Sequence, residues 1–152
     1  MIPEEQHFAE AFAGAVAEDV RAHPAGGPLV RVVVRWEDET QPMHFTVHAL
    51  GADETDEVAA EDAWYPLQWP NLDHEMERGD RLADDPVLQR AADELKTQYE
   101  DRGEEPEEDA ASGEWGHHAS PAMVEAVRLL PDALREAGVP LDDEFVATAS
   151  HF

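Results

Sequence analysis

The chain has no cysteine and a single lysine, Lys96. The first absence excludes disulfides, thiolate metal sites and cysteine nucleophiles, and it suits a reducing compartment. The second leaves nine arginines as the remaining fixed positive charge against 36 Asp and Glu, a formal net charge of −26 over 152 residues. Nucleic acid and anionic membranes are bound by clustered Lys and Arg, so this chain is expected to repel both. No stretch approaches the ~20 apolar residues of a membrane span. The opening Met1-Ile2-Pro3-Glu4-Glu5-Gln6 lacks the basic start and apolar run of a signal peptide, which makes cytoplasmic residence the expectation. Serine is scarce: Ser112, Ser120 and Ser150 are the full set, and none sits in a G-x-S-x-G elbow. Gly26-Gly27 is followed by neither the lysine nor the helix start of a phosphate-binding loop. No catalytic residue and no cofactor is nominated.

What is abundant is acid. A small soluble domain needs a net charge of only about 2–8 in magnitude, and the excess works against the compact state by self-repulsion. The charge is uneven. Residues 1–50 carry a net −5, residues 51–114 a net −17, and residues 115–152 a net −4. Adaptation to high salt spreads acid over every exposed face, so this patchiness favours a local cause. Two runs dominate, Asp53-Glu54-Thr55-Asp56-Glu57 and Glu104-Glu105-Pro106-Glu107-Glu108-Asp109. The second, among Gly, Pro, Ala and Ser, reads as a mobile acidic loop over 100–116. Hydrophobic residues make up 42% of the chain, enough for the core of a single domain spanning 1–152.

Periodicity gives the elements. Phe8, Phe12, Val16 and Val20 recur every four residues, an apolar stripe on a helix over 4–22. The segment 29–36 alternates, with Val30, Val32, Val34 and Trp36 on one face and Leu29, Arg31, Val33 and Arg35 on the other. A polar turn leads to a second alternating run over 43–50, making a hairpin. Asn71 is placed to start a short helix with Leu72 and Met76 inward and Gly79 at its end. Asp85-Pro86 and Ser120-Pro121 are cap-and-proline helix starts. Pro131 should kink or restart the last helix, which Gly138 stops. Residues 144–150 alternate again and read as a third strand, with a final helix as the alternative. The fold class is α+β, a small antiparallel sheet packed by three to four helices.

Three groups of side chains are candidates for function. The segment Trp64-Tyr65-Pro66-Leu67-Gln68-Trp69-Pro70 is the densest aromatic stretch. Its tryptophans serve either to anchor the loop on the sheet or, rimmed by acid, to hold a partner. With Asp53, Glu54, Asp56 and Glu57, the residues Trp64, Tyr65 and Trp69 form the candidate partner-binding surface. The second group, Arg31, Arg35, His44 and His48, is a basic island on one hairpin face. It is open to solvent or covered by something polar, and it is a possible ligand face. The third, Asp73, His74, Glu75 and Glu77, has helix spacing able to hold a divalent ion, but such pairs decorate many helix surfaces without metal; no metal site is nominated.

On Trp64, Pro66 and Trp69, together with the order of elements, the chain resembles small acidic bacterial proteins of unassigned function, some of them thought to be immunity proteins of polymorphic toxin systems. The resemblance implies a non-enzymatic, acidic, cytoplasmic inhibitor. Acidity in such a protein matches a basic target, because complementary charge speeds encounter and fixes register. The reading adopted is an immunity-like or antitoxin-like inhibitor, or a nucleic-acid mimic, that binds a basic protein as monomer or homodimer. The alternatives are a salt-tolerant soluble domain, and a divalent-metal or small-ligand enzyme working on the Arg/His face.

Overall fold

The computed structural model describes residues 1–37, 41–102 and 120–151. The chain runs as helix α1 (Pro3–Ala22), strands β1 (Leu29–Trp36) and β2 (Phe45–Gly51), three short 3₁₀ turns (Ala52–Glu57, Ala60–Asp62, Pro66–Gln68), helices α2 (Leu72–Ala83), α3 (Pro86–Arg102) and α4 (Pro121–Glu136), and strand β3 (Leu141–His151). The class is α+β, as the pattern of elements predicts. The acidic stretch expected to loop over 100–116 is helical to Arg102, the end of α3, and from residue 103 lies outside the described residues.

The start and stop signals act as chemistry requires. Asp85 Oδ1 accepts from the N–H groups of Val87 (2.9 Å) and Leu88 (3.0 Å) at the head of α3. Ser120 Oγ accepts from Met123 at the head of α4. Gly138, at φ +83°, closes α4 with the paired bonds Val139 N–H to Leu134 O and Gly138 N–H to Arg135 O, a left-handed stop that glycine takes without strain. Three signals mislead. Asn71 stands at the head of α2, but its side chain makes no cap hydrogen bond there. Pro131 lies inside one continuous α4 and does not restart it. Gly79 lies inside α2 rather than ending it. In α4 the proline removes one backbone bond, and the flanking Leu130 and Leu134, both fully buried, hold the helix to the core.

The sheet order is β2-β1-β3. β1 and β2 pair antiparallel, with Val33 opposite His48 and Arg35 opposite Thr46. The third strand exists but pairs parallel to β1, with Arg31 opposite Val146 and Val33 opposite Thr148, so the sheet is mixed and not wholly antiparallel. The crossover through the helices brings β3 in from the end at which β1 begins. There Leu29 N–H donates to the Pro140 carbonyl (2.9 Å).

Helices α1, α3 and α4 cover one face. Phe8, Phe12, Val16 and Val20 of α1 meet Val32, Val34 and Trp36 of β1 and Val47 of β2. Phe12 packs 5.2 Å from both Trp36 and Phe45, edge-on to the latter. A register shift between Leu29 and Arg31 turns Leu29 into this core, away from the Arg31 face that strict alternation predicts. A smaller apolar group, Val33, Leu50 and Trp69, seals the other face.

Candidate functional site

The chain between β2 and α2 folds back over the second sheet face because both ends of the crossing are fixed. At the first end, the turn before β1 and the end of β2 touch backbone to backbone. A Cβ at Gly51 would lie 2.1 Å from the Gly26 carbonyl oxygen. Glu54 Oε1 accepts from the N–H of Gly51 (2.9 Å) and of Gly26 (3.1 Å), and Asp53 N–H donates to Gly26 O (2.8 Å). Glu54 is therefore committed to the fold. Asp53, Asp56 and Glu57 are exposed.

At the second end, Trp69 is buried on Val33 and Leu50, and its Nε1 donates to the Asp62 carbonyl (2.9 Å). Of the two uses open to this tryptophan, the structure gives it the anchoring one. Pro66 is buried beside it in sequence. Between and around these two anchors the remaining large side chains project outward. Trp64 is 49% exposed, Tyr65 45% and Leu67 45%. Trp64 lies over the Arg31 guanidinium, 4.7 Å from ring centroid to Cζ, a cation–π contact that holds the ring in place. Exposed Glu61 and the acids of 53–57 belong to the same crossing segment.

The Arg/His face is accordingly not an open basic island. His48 is 2% exposed, and Trp69 stands edge-on to its ring at 6.5 Å. Val33 and Leu50 lie on the same face and make an apolar seat for Trp69, so aromatic rather than polar cover closes the centre. Arg31 and Arg35 are half-buried, and His44 is exposed just before β2 begins. Burial holds the His48 imidazole below its ordinary titration range, with Arg35 and Arg78 acting in the same direction and Glu75 against it. Both His48 ring nitrogens and Thr46 Oγ1 are buried without a hydrogen-bond partner among the described residues.

The least legible group lies on α2. Its buried face is Glu75, Arg78 and Leu82, while Met76, expected inward, is 48% exposed. Arg78 is fully buried and its guanidinium makes four hydrogen bonds. Nε and Nη2 grip Glu75 (2.7 and 3.0 Å), Nη1 donates to Asp19 Oδ2 (2.8 Å), and Nη2 also donates to the His23 carbonyl (3.0 Å). Arg81 adds a second fork on Asp19 (2.7 and 3.0 Å). Glu75 Oε1 accepts the Ala49 N–H (2.6 Å), and Asn71 Nδ2 donates to the Ala49 carbonyl (3.0 Å). Glu75 of α2 and Asn71 just before it thus satisfy the outward backbone groups of Ala49 on β2, as another strand would. In the sequence this face is marked only by the Glu75–Arg78 spacing of three followed by Leu82, a pattern without an apolar stripe.

The acids around His74 do not converge. Glu75 is spent on Arg78 and Ala49, Glu77 is exposed, and no group of three or more His, Asp or Glu able to hold a metal occurs among the described residues. A shallow groove of about 550 Å³ runs over α3 beside Glu4, lined by Gln89, Arg90, Asp93 and Thr97. A smaller one of about 270 Å³ lies by Glu37, Met43, His44 and Thr46. No described helix is long and apolar enough to cross a membrane. Comparison with family models, curated proteins and solved structures finds no match to this chain. The resemblance to acidic immunity proteins rests on Trp64, Pro66 and Trp69 together with the order of elements.

Proposed function

We propose that this chain is a non-enzymatic acidic protein that binds a basic protein partner through Trp64, Tyr65 and Leu67, with Asp53, Asp56 and Glu57 steering the approach. An immunity-like inhibitor or nucleic-acid mimic of the cytoplasm fits this description. The observation that carries the reading is the exposure of three large apolar side chains within four residues, on a segment fixed by buried Pro66 and Trp69. Rigid aromatic anchors lose little entropy on binding, and acid around them attracts base and discourages acidic competitors. Glu54 and Trp69 act from beneath this surface: one pins the segment's start and the other its end. The closed Arg/His face offers less support for a small-ligand enzyme.

The test is affinity capture from the native host lysate at low salt with a salt-step elution, comparing the wild type with Trp64→Ala/Tyr65→Ala and with Asp53→Lys/Asp56→Lys/Glu57→Lys. One dominant basic protein, held near stoichiometrically by the wild type and lost from both variants, is the expected result. The same broad set of basic proteins on all three baits would show that the charge is generic, and would contradict the proposal.

A further inference from the structure

The two outer strands of the sheet are treated differently. Ala49 of β2 turns its N–H and C=O outward, where Glu75 and Asn71 satisfy them. Alternation along the paired strands then fixes the other edge. Val33 and Arg35 bond toward β2, Val32 and Val34 bond toward β3, and on β3 the backbone groups of Ala147 and Ala149 face out. Among the described residues no backbone group pairs with them; Ala147 is half-buried and Ala149 is 4% exposed, so the accessible part of this edge lies from Val146 to Thr148. The register shift lies before Val146, so the edge is regular from Val146 to His151. A strand edge with no partner strand invites an added one.

Two features say what fits there. Asp142-Asp143-Glu144 sits at the start of β3, a block of acid directly before the regular edge. Val146, 44% exposed, is opposite Arg31 in the sheet, and Arg31 carries Trp64, so the partner-binding aromatic and the strand edge share one sheet face. We infer that β3 takes an extended basic segment of the partner as a fourth, antiparallel strand, with Lys and Arg beside Asp142–Glu144 and apolar side chains beside Val146 and Trp64. Main-chain bonds then supply affinity and the alternate side chains supply specificity. A second copy of this chain is a poor occupant, since it would bring a net −26 and a second block of acid to the same edge. The inference rests on the partner-binding function proposed above and names its mode.

The test uses the ¹⁵N-labelled full chain and a capped peptide of alternating Val and Thr ending in Lys-Arg-Lys. Its control has the same sequence with alternate amides N-methylated, which keeps charge and side chains but removes strand donors. The expected result is that the first peptide slows amide exchange at Ala147 and Ala149 by about tenfold or more, and the methylated one does not. Ala147→Pro, which removes an outward N–H and leaves the bonds to β1, should abolish the effect; the peptide comparison stands even where that variant is poorly folded. Equal binding of both peptides, binding of neither, or concentration-dependent protection without peptide would each overturn strand addition. Capture of a basic protein through Trp64 and Tyr65 with β3 still exchanging freely would overturn it too, while leaving the proposed function in place.

Discussion

Arg78 is the residue on which most of the buried charge converges. It has no exposed surface, and it meets Glu75, Asp19 and the end of α1 through four hydrogen bonds to oxygen. Removing one partner of such a group leaves the other charge buried and uncompensated, which costs ~3–5 kcal/mol. Arg78→Met should lower stability in urea unfolding by that amount, and Glu75→Leu added to it should recover part of the loss; a cost of Arg78→Met under ~1 kcal/mol would contradict the assigned role. His48 gives a pH signature. Its folded-state pKa is depressed by burial below the roughly 6.5 of the unfolded chain. Below that value the unfolded state binds a proton that the folded state refuses, so the His48 contribution destabilises progressively as pH falls from about 6.5 toward the lowered folded value. Urea midpoints measured from about pH 7.5 down to about pH 5.5, above the main carboxylate range, should fall less steeply in His48→Gln than in the wild type. Parallel slopes would mean that His48 is not held neutral.

At the scale of elements, the decisive junction is the backbone contact between Gly26 and Gly51, because it aims the 52–71 segment across the sheet. Gly51→Ala places a methyl against the Gly26 carbonyl, and overpacking of this kind costs ~1–3 kcal/mol. Its thermal midpoint should drop, with Trp64 and Trp69 fluorescence changing in the same transition; an unchanged midpoint would show that the two turns are not in contact. Elements whose cause is local were legible in the sequence. The α1 stripe, the Asp85-Pro86 and Ser120-Pro121 starts, the Gly138 stop and the alternation of β1 and β3 each depend on neighbours within a turn. What escaped depends on distant partners. The parallel placement of β3 follows from the path of the crossover, and the burial of His48 follows from Trp69 finding Val33 and Leu50. The charged face of α2 follows from a strand edge needing a carboxylate and an amide. Of the candidate site, the sequence showed the aromatic density of Trp64, Tyr65 and Trp69 and left anchor and partner surface both open. The anchoring roles of Trp69 and Glu54 required knowing what lies beneath.

For the whole molecule, the question is what a net charge of −26 does. Self-repulsion between exposed acids is screened as the Debye length shrinks to about 8 Å near 0.15 M salt. The chain should therefore be folded at low ionic strength, with a Tm that rises over the first few hundred millimolar NaCl and then levels. A chain that unfolds at low salt and needs molar NaCl would instead carry its acid as an adaptation to salt. On the present account the acid acts on encounter and the aromatics on residence, two effects that separate in kinetics. The most direct measurement is the pair of rate constants for the captured basic protein, taken by surface plasmon resonance at low and moderate salt. Asp53→Lys/Asp56→Lys/Glu57→Lys should slow association and flatten its salt dependence with little change in dissociation. Trp64→Ala should speed dissociation and leave association nearly unchanged. Association indifferent to both salt and charge reversal, with dissociation indifferent to Trp64, would contradict the account at its centre.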